Sequence, residues 1–195
     1  YYKKAVENGS YEAMFDYGVI LHKGEGVPVD DKEAAKHYKN ASDEGQVEAM
    51  NNYAALLYKG EGVPMNKIEA AQYFKDAAEK GDINAMYNYA LMLYNGDGVS
   101  VNKKEAARYF KITADKGNIN AMNNYGVILS KGEGVPVNKE EALRYYRNAA
   151  KEGHIDAIYN LGLQLYKGDG VPVDKEEAAK YFKIAADKEH INAMI

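Results

Sequence analysis

Five copies of the string Gly-acid-Gly-Val are the first feature of this sequence that could do chemistry. They begin at Gly24, Gly60, Gly96, Gly132 and Gly168. Glycine-rich loops bind phosphate when a strand precedes them or when Lys-Ser/Thr ends them as in a P-loop, and these loops have neither feature. Their acidic residues also lack the further oxygen ligands of a calcium-binding loop. We therefore interpret the five strings as structural turns.

Histidine and glutamate side chains are the next candidates for metal binding or catalysis. Of the four histidines, His154 and His190 occupy the same place one repeat apart, and we expect them to be too distant to share a metal. All four are interpreted as surface or helix N-terminal residues. Helix capping explains a recurring glutamate, found at Glu33, Glu69, Glu105, Glu141 and Glu177. Because catalysis needs different residues at one place, we predict that the chain is not an enzyme and holds no metal or cofactor.

A basic row could suggest a track for nucleic acid. It consists of Lys3, Lys39, Lys75, Lys111, Arg147 and Lys183. Such a track needs an excess of positive charge and adjacent stacking aromatics, whereas the formal net charge is −4. Acidic residues stand four positions after the lysines at Asp43, Glu79 and Asp115. We therefore predict i,i+4 ion pairs on a solvated outer face and no nucleic acid among the partners.

Composition places limits on the class of protein. Hydrophobic residues make up 46% of the 195 residues, enough for a core, and no apolar run approaches the roughly 18 residues of a membrane span. We expect no membrane insertion. The sequence has no Cys, which excludes disulfides and thiolate chemistry within it. Since residue 1 is Tyr, we expect a piece of a longer protein. The compartment stays open, with the cytoplasm as first choice and an upstream signal peptide as the alternative.

A period of 36 residues organises the whole chain, because the five glycine strings are spaced by 36 with no insertion. We predict a single repeat array over 1–195. Its full repeats are 10–45, 46–81, 82–117, 118–153 and 154–189, with the end of a truncated repeat at 1–9 and the start of another at 190–195.

Each repeat is predicted to contain two helices. Residues 82–95 carry apolar side chains at helical spacing, and Gly96 suits the position after a helix end. Asn102, with Glu105 three residues later, predicts a capping box at the start of a second helix that ends near Gly117. Small residues recur on the facing helices and predict a close approach of their axes. They are Gly18, Ala54, Ala90, Gly126 and Gly162.

The motif Ala-Met-Tyr-Asn-Tyr-Ala-Leu-Met-Leu-Tyr-Asn-Gly-Asp-Gly-Val at 85–99, followed by Asn-Lys-Lys-Glu-Ala-Ala-Arg-Tyr-Phe-Lys at 102–111, resembles the Sel-one-like repeat (SLR) family. The resemblance covers essentially the whole chain. It implies an all-α fold, a right-handed α/α superhelical solenoid similar to tetratricopeptide repeats, with the first helices lining a concave groove. It also implies a scaffold or adaptor role. Some bacterial members are secreted and carry a Cys pair in each repeat, and this chain departs from that subgroup.

One row of polar and aromatic residues on the first helix lies outside its predicted core stripe. Asn can donate to and accept from a peptide backbone, Tyr offers rigid amphipathic area, and Lys can meet a carboxylate. We predict that twelve of these residues bind a partner in the groove. They are Asn52, Tyr58, Lys59, Tyr87, Asn88, Leu91, Tyr94, Asn124, Lys131, Tyr159, Asn160 and Tyr166. The alternative is that the Asn residues bond neighbouring helices and the Tyr residues pack between repeats.

Three interpretations of function stay open from the sequence. The first is a scaffold or adaptor that holds a protein or peptide segment in the groove. The second is a structural spacer without a dedicated ligand. The third is a regulatory repeat region of a larger enzyme whose catalytic domain lies outside this sequence. The partner and the oligomeric state are not encoded in any motif.

Overall fold

The computed structural model describes residues 10–188, and this part of the chain contains α-helices and turns but no strand. The ten helices are α1 (Tyr11–Lys23), α2 (Asp31–Asp43), α3 (Val47–Lys59), α4 (Lys67–Glu79), α5 (Ile83–Asn95), α6 (Lys103–Asp115), α7 (Ile119–Lys131), α8 (Lys139–Lys151), α9 (Ile155–Lys167) and α10 (Lys175–Asp187). The predicted all-α fold of 36-residue helix-turn-helix repeats is confirmed. The expectations for 1–9 and 190–195, with Lys3 and His190, lie outside the described residues.

The helices form two compact units, which divide between Val101 and Asn102. The first unit contains α1–α5 and the second contains α6–α10. Within each unit every helix packs against the next one along the chain. None of the ten helices described has the length and apolar character that crossing a lipid bilayer requires.

Small residues bring the paired helices together as predicted. Gly126 of α7 faces the ring of Tyr146 on α8, and a Cβ atom at Gly126 would lie only 2.6 Å from the Tyr146 Cε1 atom. Gly18 faces the ring of Tyr38 in the same way in the first unit. The ring fills the space that the missing side chain leaves, so the interior stays closely packed.

Tyrosines beside these small positions pair edge-to-face across the two helices of a repeat. The Tyr53 and Tyr73 rings lie 5.1 Å apart at 88°, and the Tyr125 and Tyr145 rings lie 5.0 Å apart at 86°. This arrangement places the positive edge of one ring on the negative face of the other. The repeating Tyr of the first helix is therefore a core residue of the repeat.

The second helices begin at the predicted caps, but the predicted capping box is wrong in its reciprocal half. Asn66 Oδ1 accepts the N–H of Glu69 at 3.2 Å. The backbone N–H of Asn66 does not bond Glu69, because it is donated to the carbonyl of Leu57 at 2.9 Å. The Glu69 carboxylate instead accepts from the Asn66 side-chain amide at 2.9 Å. The cap therefore also ties the start of α4 back to the preceding helix.

The glycine-rich loops are turns, and each of their two glycines is required for a different physical reason. Gly96 ends α5 in the left-handed conformation, with φ of 80°. Gly98, with φ of 70°, lies against the start of α4, where a Cβ atom would overlap the carbonyl group of Lys67. Gly62 and Gly134 meet the backbone at Asp31 and Lys103 in the same way. The loops after α3, α5 and α7 are thus seated on the second helix of the preceding repeat.

Replacing Gly98 with Ala is expected to destabilise the first unit much more than replacing Gly81 with Ala. Both glycines have positive φ, but only Gly98 touches another backbone, and nothing lies within 4 Å of a Cβ atom at Gly81. A left-handed Ala alone costs about 1–2 kcal/mol. The added steric conflict should bring the loss at Gly98 to about 3–4 kcal/mol. Urea denaturation of both variants measures the difference, and equal losses would contradict the backbone contact.

Candidate functional site

An ion pair joins the loop after α5 to the start of α4. The Lys67 Nζ atom lies 2.8 Å from Asp97 Oδ1, and the Tyr58 hydroxyl donates to Asp97 Oδ2 at 2.9 Å. Lys67 Nζ also lies 4.9 Å from the centre of the Tyr58 ring. The hydrogen bonds from Lys67 and Tyr58 lower the pKa of Asp97, and the bond to Asp97 raises the pKa of both donors.

The same loop contact recurs in the second unit. Lys103 Nζ lies 3.3 Å from Glu133 Oε1, and Lys139 pairs with Asp169. The sequence carries a signal for these three pairs that the helix pattern does not use, namely a lysine 30 residues before the acid in the last three loops. In the first repeat this position is Asp31, which instead meets His22 through Oδ1 and Nδ1 at 2.6 Å.

Lysines at the ends of the first helices differ between the two units. Lys23 and Lys59 pair with the acids of their own loops, Glu25 at 3.4 Å and Glu61 at 3.5 Å. Lys131 and Lys167 form no ion pair within the part of the chain that is described, because their loop acids are bound to Lys103 and Lys139.

Two of the predicted asparagines bond an asparagine of the preceding first helix that is not itself among the predicted residues. In the first unit Asn88 Nδ2 donates to Asn51 Oδ1 at 3.2 Å, and Asn51 Nδ2 reaches Asn52 Oδ1 at 3.4 Å. In the second unit Asn160 Nδ2 donates to Asn123 Oδ1 at 3.0 Å. Asn123 is buried, so this bond satisfies a polar group of the interior.

The first asparagine of the row also supports the core of the first repeat. Asn52 is hydrogen-bonded to Tyr38, and burial raises the pKa of Tyr38 to about 12. The Asn row therefore takes part in the packing of the helices, as the alternative interpretation of the sequence expects.

Several predicted aromatic residues contact neighbouring rings or cations. The Tyr159 and Tyr166 rings lie 5.7 Å and 6.3 Å from the Phe182 ring. Lys175 Nζ lies 5.7 Å from the centre of the Tyr166 ring, in a cation–π geometry. These residues keep part of their surface open while their position is fixed by the contacts.

We call the twelve predicted residues the first-helix face. All of them lie on α3, α5, α7 and α9, and none is fully buried. Lys59, Lys131 and Tyr166 are exposed. The others are half-buried, namely Asn52, Tyr58, Tyr87, Asn88, Leu91, Tyr94, Asn124, Tyr159 and Asn160. Seven belong to the first unit and five to the second.

The lysines of the second helices form the predicted i,i+4 ion pairs. Lys39 Nζ lies 2.7 Å from Asp43 Oδ2, and Lys111 Nζ lies 2.6 Å from Asp115 Oδ2. The corresponding pair of Lys75 and Glu79 is longer, at 3.8 Å. All of these side chains are substantially open to solvent, so each pair contributes little to stability.

The interpretation of the histidines is right for His154 and wrong for His37. The Nδ1 atom of His154 accepts the N–H of Ala157 and caps α9. His37 is buried, because its ring packs edge-to-face on Tyr17 at 5.1 Å, and burial lowers its pKa. Among the residues that the structure describes, no three His, Cys, Asp or Glu side chains come together as metal ligands.

The Sel1 repeat family model matches this chain five times, at residues 12–46, 47–82, 83–118, 119–154 and 155–190. No curated protein sequence matches the chain. Solved structures do match. One is c5321, a protective antigen of uropathogenic Escherichia coli strains with an SLR fold, at 29% identity and a TM-score of 0.92. That match covers 98% of this chain, which spans only 41% of the length of the E. coli chain.

Two further structures are similar in fold. A Sel1 repeat protein from Oxalobacter formigenes is 28% identical, with a TM-score of 0.87 over 95% of this chain and 74% of that one. Helicobacter pylori cysteine rich protein B is 23% identical, with a TM-score of 0.52 over 67% of this chain and 93% of that one. At 23% identity, the likeness to the H. pylori protein concerns the fold alone.

Replacing Asp97 with Asn is expected to lower the stability of the first unit at neutral pH and to have less effect in acid. Asp97 has a lowered pKa when folded, so its contribution is present above its ordinary value of 3.8 and is lost as the pH falls further. Urea midpoints at about pH 7 and about pH 3 measure this, since the ordinary pKa of 3.8, which applies to the unfolded chain, lies between them. Glu79→Gln, at a long and exposed pair, is the control and should change little at either pH.

Proposed function

The chain belongs to the Sel1 repeat family, and we propose from this premise that its first-helix face binds a segment of a partner protein. Sel1 repeat proteins are generally protein-interaction scaffolds, and the fold is typically non-catalytic. Under this proposal the chain is a protein-interaction scaffold and has no enzymatic activity of its own. Its ligand is a protein or peptide segment rather than nucleic acid or a membrane.

The asparagine bonds between adjacent first helices are the observation that carries this proposal. An Asn side chain has two N–H donors and an oxygen that accepts two bonds, and the bond from Asn88 to Asn51 uses only one of those donors. The amide of Asn88 is held in one orientation while it stays half-buried. Binding to a pre-ordered amide loses less side-chain entropy than binding to a free one. Asn160, bonded to Asn123, offers the same arrangement in the second unit.

Half-buried apolar surface lies beside these amides. Leu91 and Tyr94 follow Asn88 on the same side of α5, and Leu163 and Tyr166 follow Asn160 on α9. Main-chain groups of a bound segment can pair with the amides while its apolar side chains cover the Tyr and Leu surface. Because ordering a flexible segment opposes binding, we expect modest affinity.

The spacer interpretation rests on a different observation. The Tyr58 hydroxyl is already bonded to Asp97, so this member of the first-helix face serves the contact between repeats. A spacer needs only such internal contacts and predicts that no peptide is held specifically on the face.

The test is a selection of random peptides displayed on phage against the immobilised chain. We expect an enriched peptide to bind in solution with a Kd of about 1–100 μM, measured by fluorescence anisotropy. Asn88→Ala with Tyr94→Ala, or the matching change Asn160→Ala with Tyr166→Ala in the second unit, should weaken binding at least about tenfold. Circular dichroism checks that both variants keep their helix content.

The control variant changes the second helices. Lys75→Glu with Lys111→Glu alters side chains open to solvent outside the first-helix face and should leave the affinity unchanged. If the control abolishes binding and both face variants retain it, the partner uses the second-helix side and the proposal is wrong. If no peptide is enriched, the result favours the spacer.

A further inference from the structure

A cavity of about 320 Å³ opens in the second unit, between α7, α8 and α9. Two residues that line it depart from the 36-residue pattern. Ser130 stands where the second, third and fifth repeats have Tyr58, Tyr94 and Tyr166. Gln164 stands where the other repeats have buried or half-buried aliphatic side chains, at Ile20, Leu56, Met92 and Ile128. Departures from a repeat pattern that meet at one place point to a function for that place.

The replacement of Tyr by Ser accounts for the empty space. In the first unit the Tyr58 ring lies beside Lys67, and its hydroxyl donates to Asp97. The equivalent lysine and acid of the second unit, Lys139 and Asp169, still pair with each other and also line the cavity. Ser130 is too short to cover them, and its side chain bonds the buried Tyr146 instead.

Gln164, which lines this cavity, also carries an unpaired polar atom that is shielded from solvent. The side chain is only 5% exposed, and its Nε2 donates to the carbonyls of Lys139 and Asp169. Its Oε1 atom has no hydrogen-bond partner among the described residues. A buried acceptor without a donor is destabilising, and the aliphatic residue of the other repeats would avoid this loss. The amide is therefore a feature that packing alone does not require.

The charge around the cavity is positive. Lys131 and Lys167 line it and form no ion pair within residues 10–188, whereas the charges of Lys139 and Asp169 neutralise each other. In the first unit the equivalent of Lys131 is Lys59, which is paired with Glu61. The two free ammonium groups are thus a property of the second unit. They favour a carboxylate as occupant.

We propose that an acidic residue of a bound protein segment enters this cavity, with its carboxylate at Lys131 and Lys167. This inference rests on the proposed binding of a segment by the first-helix face, since Lys131 and Asn160 belong to both. Half-buried Val127 and Leu163 line the cavity and can cover the methylene groups of the acidic side chain. The volume is near the lower end of the range for ligand pockets, about 300–1,000 Å³, and suits one side chain with its adjoining backbone.

The probe is a pentapeptide, acetylated and amidated, with a central Glu flanked by Ala. The matched probe carries Gln in place of Glu. Titration into the 15N-labelled chain, followed by NMR, should shift the backbone amides of Ser130, Lys131 and Lys167 and the side-chain amide of Gln164. We expect a Kd of about 1 mM for so short a peptide, and binding at least about fivefold weaker for the Gln peptide. Equal binding of the two peptides, or shifts confined to α1–α5, would overturn the proposal.

Two variants test separately whether binding of the Glu peptide needs the space of the cavity and whether it needs the two lysines. Ser130→Tyr with Gln164→Leu restores the residues of the other repeats, so it should fold at least as stably as the parent and lose the Glu peptide. Lys131→Ala with Lys167→Ala should keep the cavity but remove the preference for Glu over Gln. Lys111→Ala, at an exposed lysine of the second unit that lies outside the first-helix face, is the control and should bind as the parent does. A filled cavity that still binds the Glu peptide contradicts the inference.

The peptides enriched from the phage library distinguish failure of this inference from failure of the proposed function. An enriched peptide that needs Asn88 or Asn160 but binds the filled-cavity variant equally well contradicts only the acidic anchor. An enriched peptide whose single acidic residue is required, and whose binding is lost with Ser130→Tyr and Gln164→Leu, supports both. Binding that no change on the first-helix face affects contradicts both.

Discussion

The close approach of a loop glycine to the backbone of a neighbouring helix is the constraint on which the other contacts between repeats depend. Gly98 lies where any side chain would overlap the carbonyl group of Lys67, so the loop after α5 has one position on α4. That position brings Asp97 within 2.8 Å of the Lys67 ammonium group and within reach of the Tyr58 hydroxyl. Half-exposed ion pairs alone contribute little and are screened by salt. Steric contact between backbones therefore sets the register, and the charges pair within it.

Competition for the loop acid explains why Lys59 is paired in the first unit while Lys131 and Lys167 are unpaired among the described residues of the second. Where the preceding second helix begins with lysine, as at Lys103 and Lys139, that lysine takes the loop acid. Lys131 and Lys167 are then left without a carboxylate among the described residues. Where the preceding helix begins with Asp31, the loop acid stays with the lysine of its own repeat, as Glu61 does with Lys59. One change of charge at a helix start thus decides which lysines remain open to a ligand.

Packing and the proposed binding depend on the same side chains of the first-helix face. Asn88 and Asn160 are bonded to the preceding first helix of their units, yet both stay half-buried and retain hydrogen-bonding capacity. Gln164 shows the opposite balance, because its amide is almost fully buried and its oxygen is unsatisfied. Asn88 and Asn160 thus stabilise the packing of the helices and still present polar groups at the surface. A residue such as Gln164 is unfavourable for stability, as is common at functional sites.

Local interactions are what the sequence by itself determined. The 36-residue period can be read directly from the sequence. Helix ends such as Gly96, caps such as Asn66 and the ion pair of Lys39 with Asp43 depend only on residues within one helix or one turn, so their spacing predicts them. The positions of the first-helix face outside the core stripe are of this kind too. Tertiary structure alone decided which partner each polar group takes. The N–H of Asn66 bonds the preceding helix rather than Glu69, because packing places the Leu57 carbonyl 2.9 Å away.

The burial of His37 and the cavity at Ser130 were decided in the same way. Both depend on side chains from helices that only folding brings together. The sequence states which residues are present. Contacts between residues 25 or 30 positions apart, such as those of Lys139 with Gln164 and with Asp169, depend on distances that exist only in the folded chain.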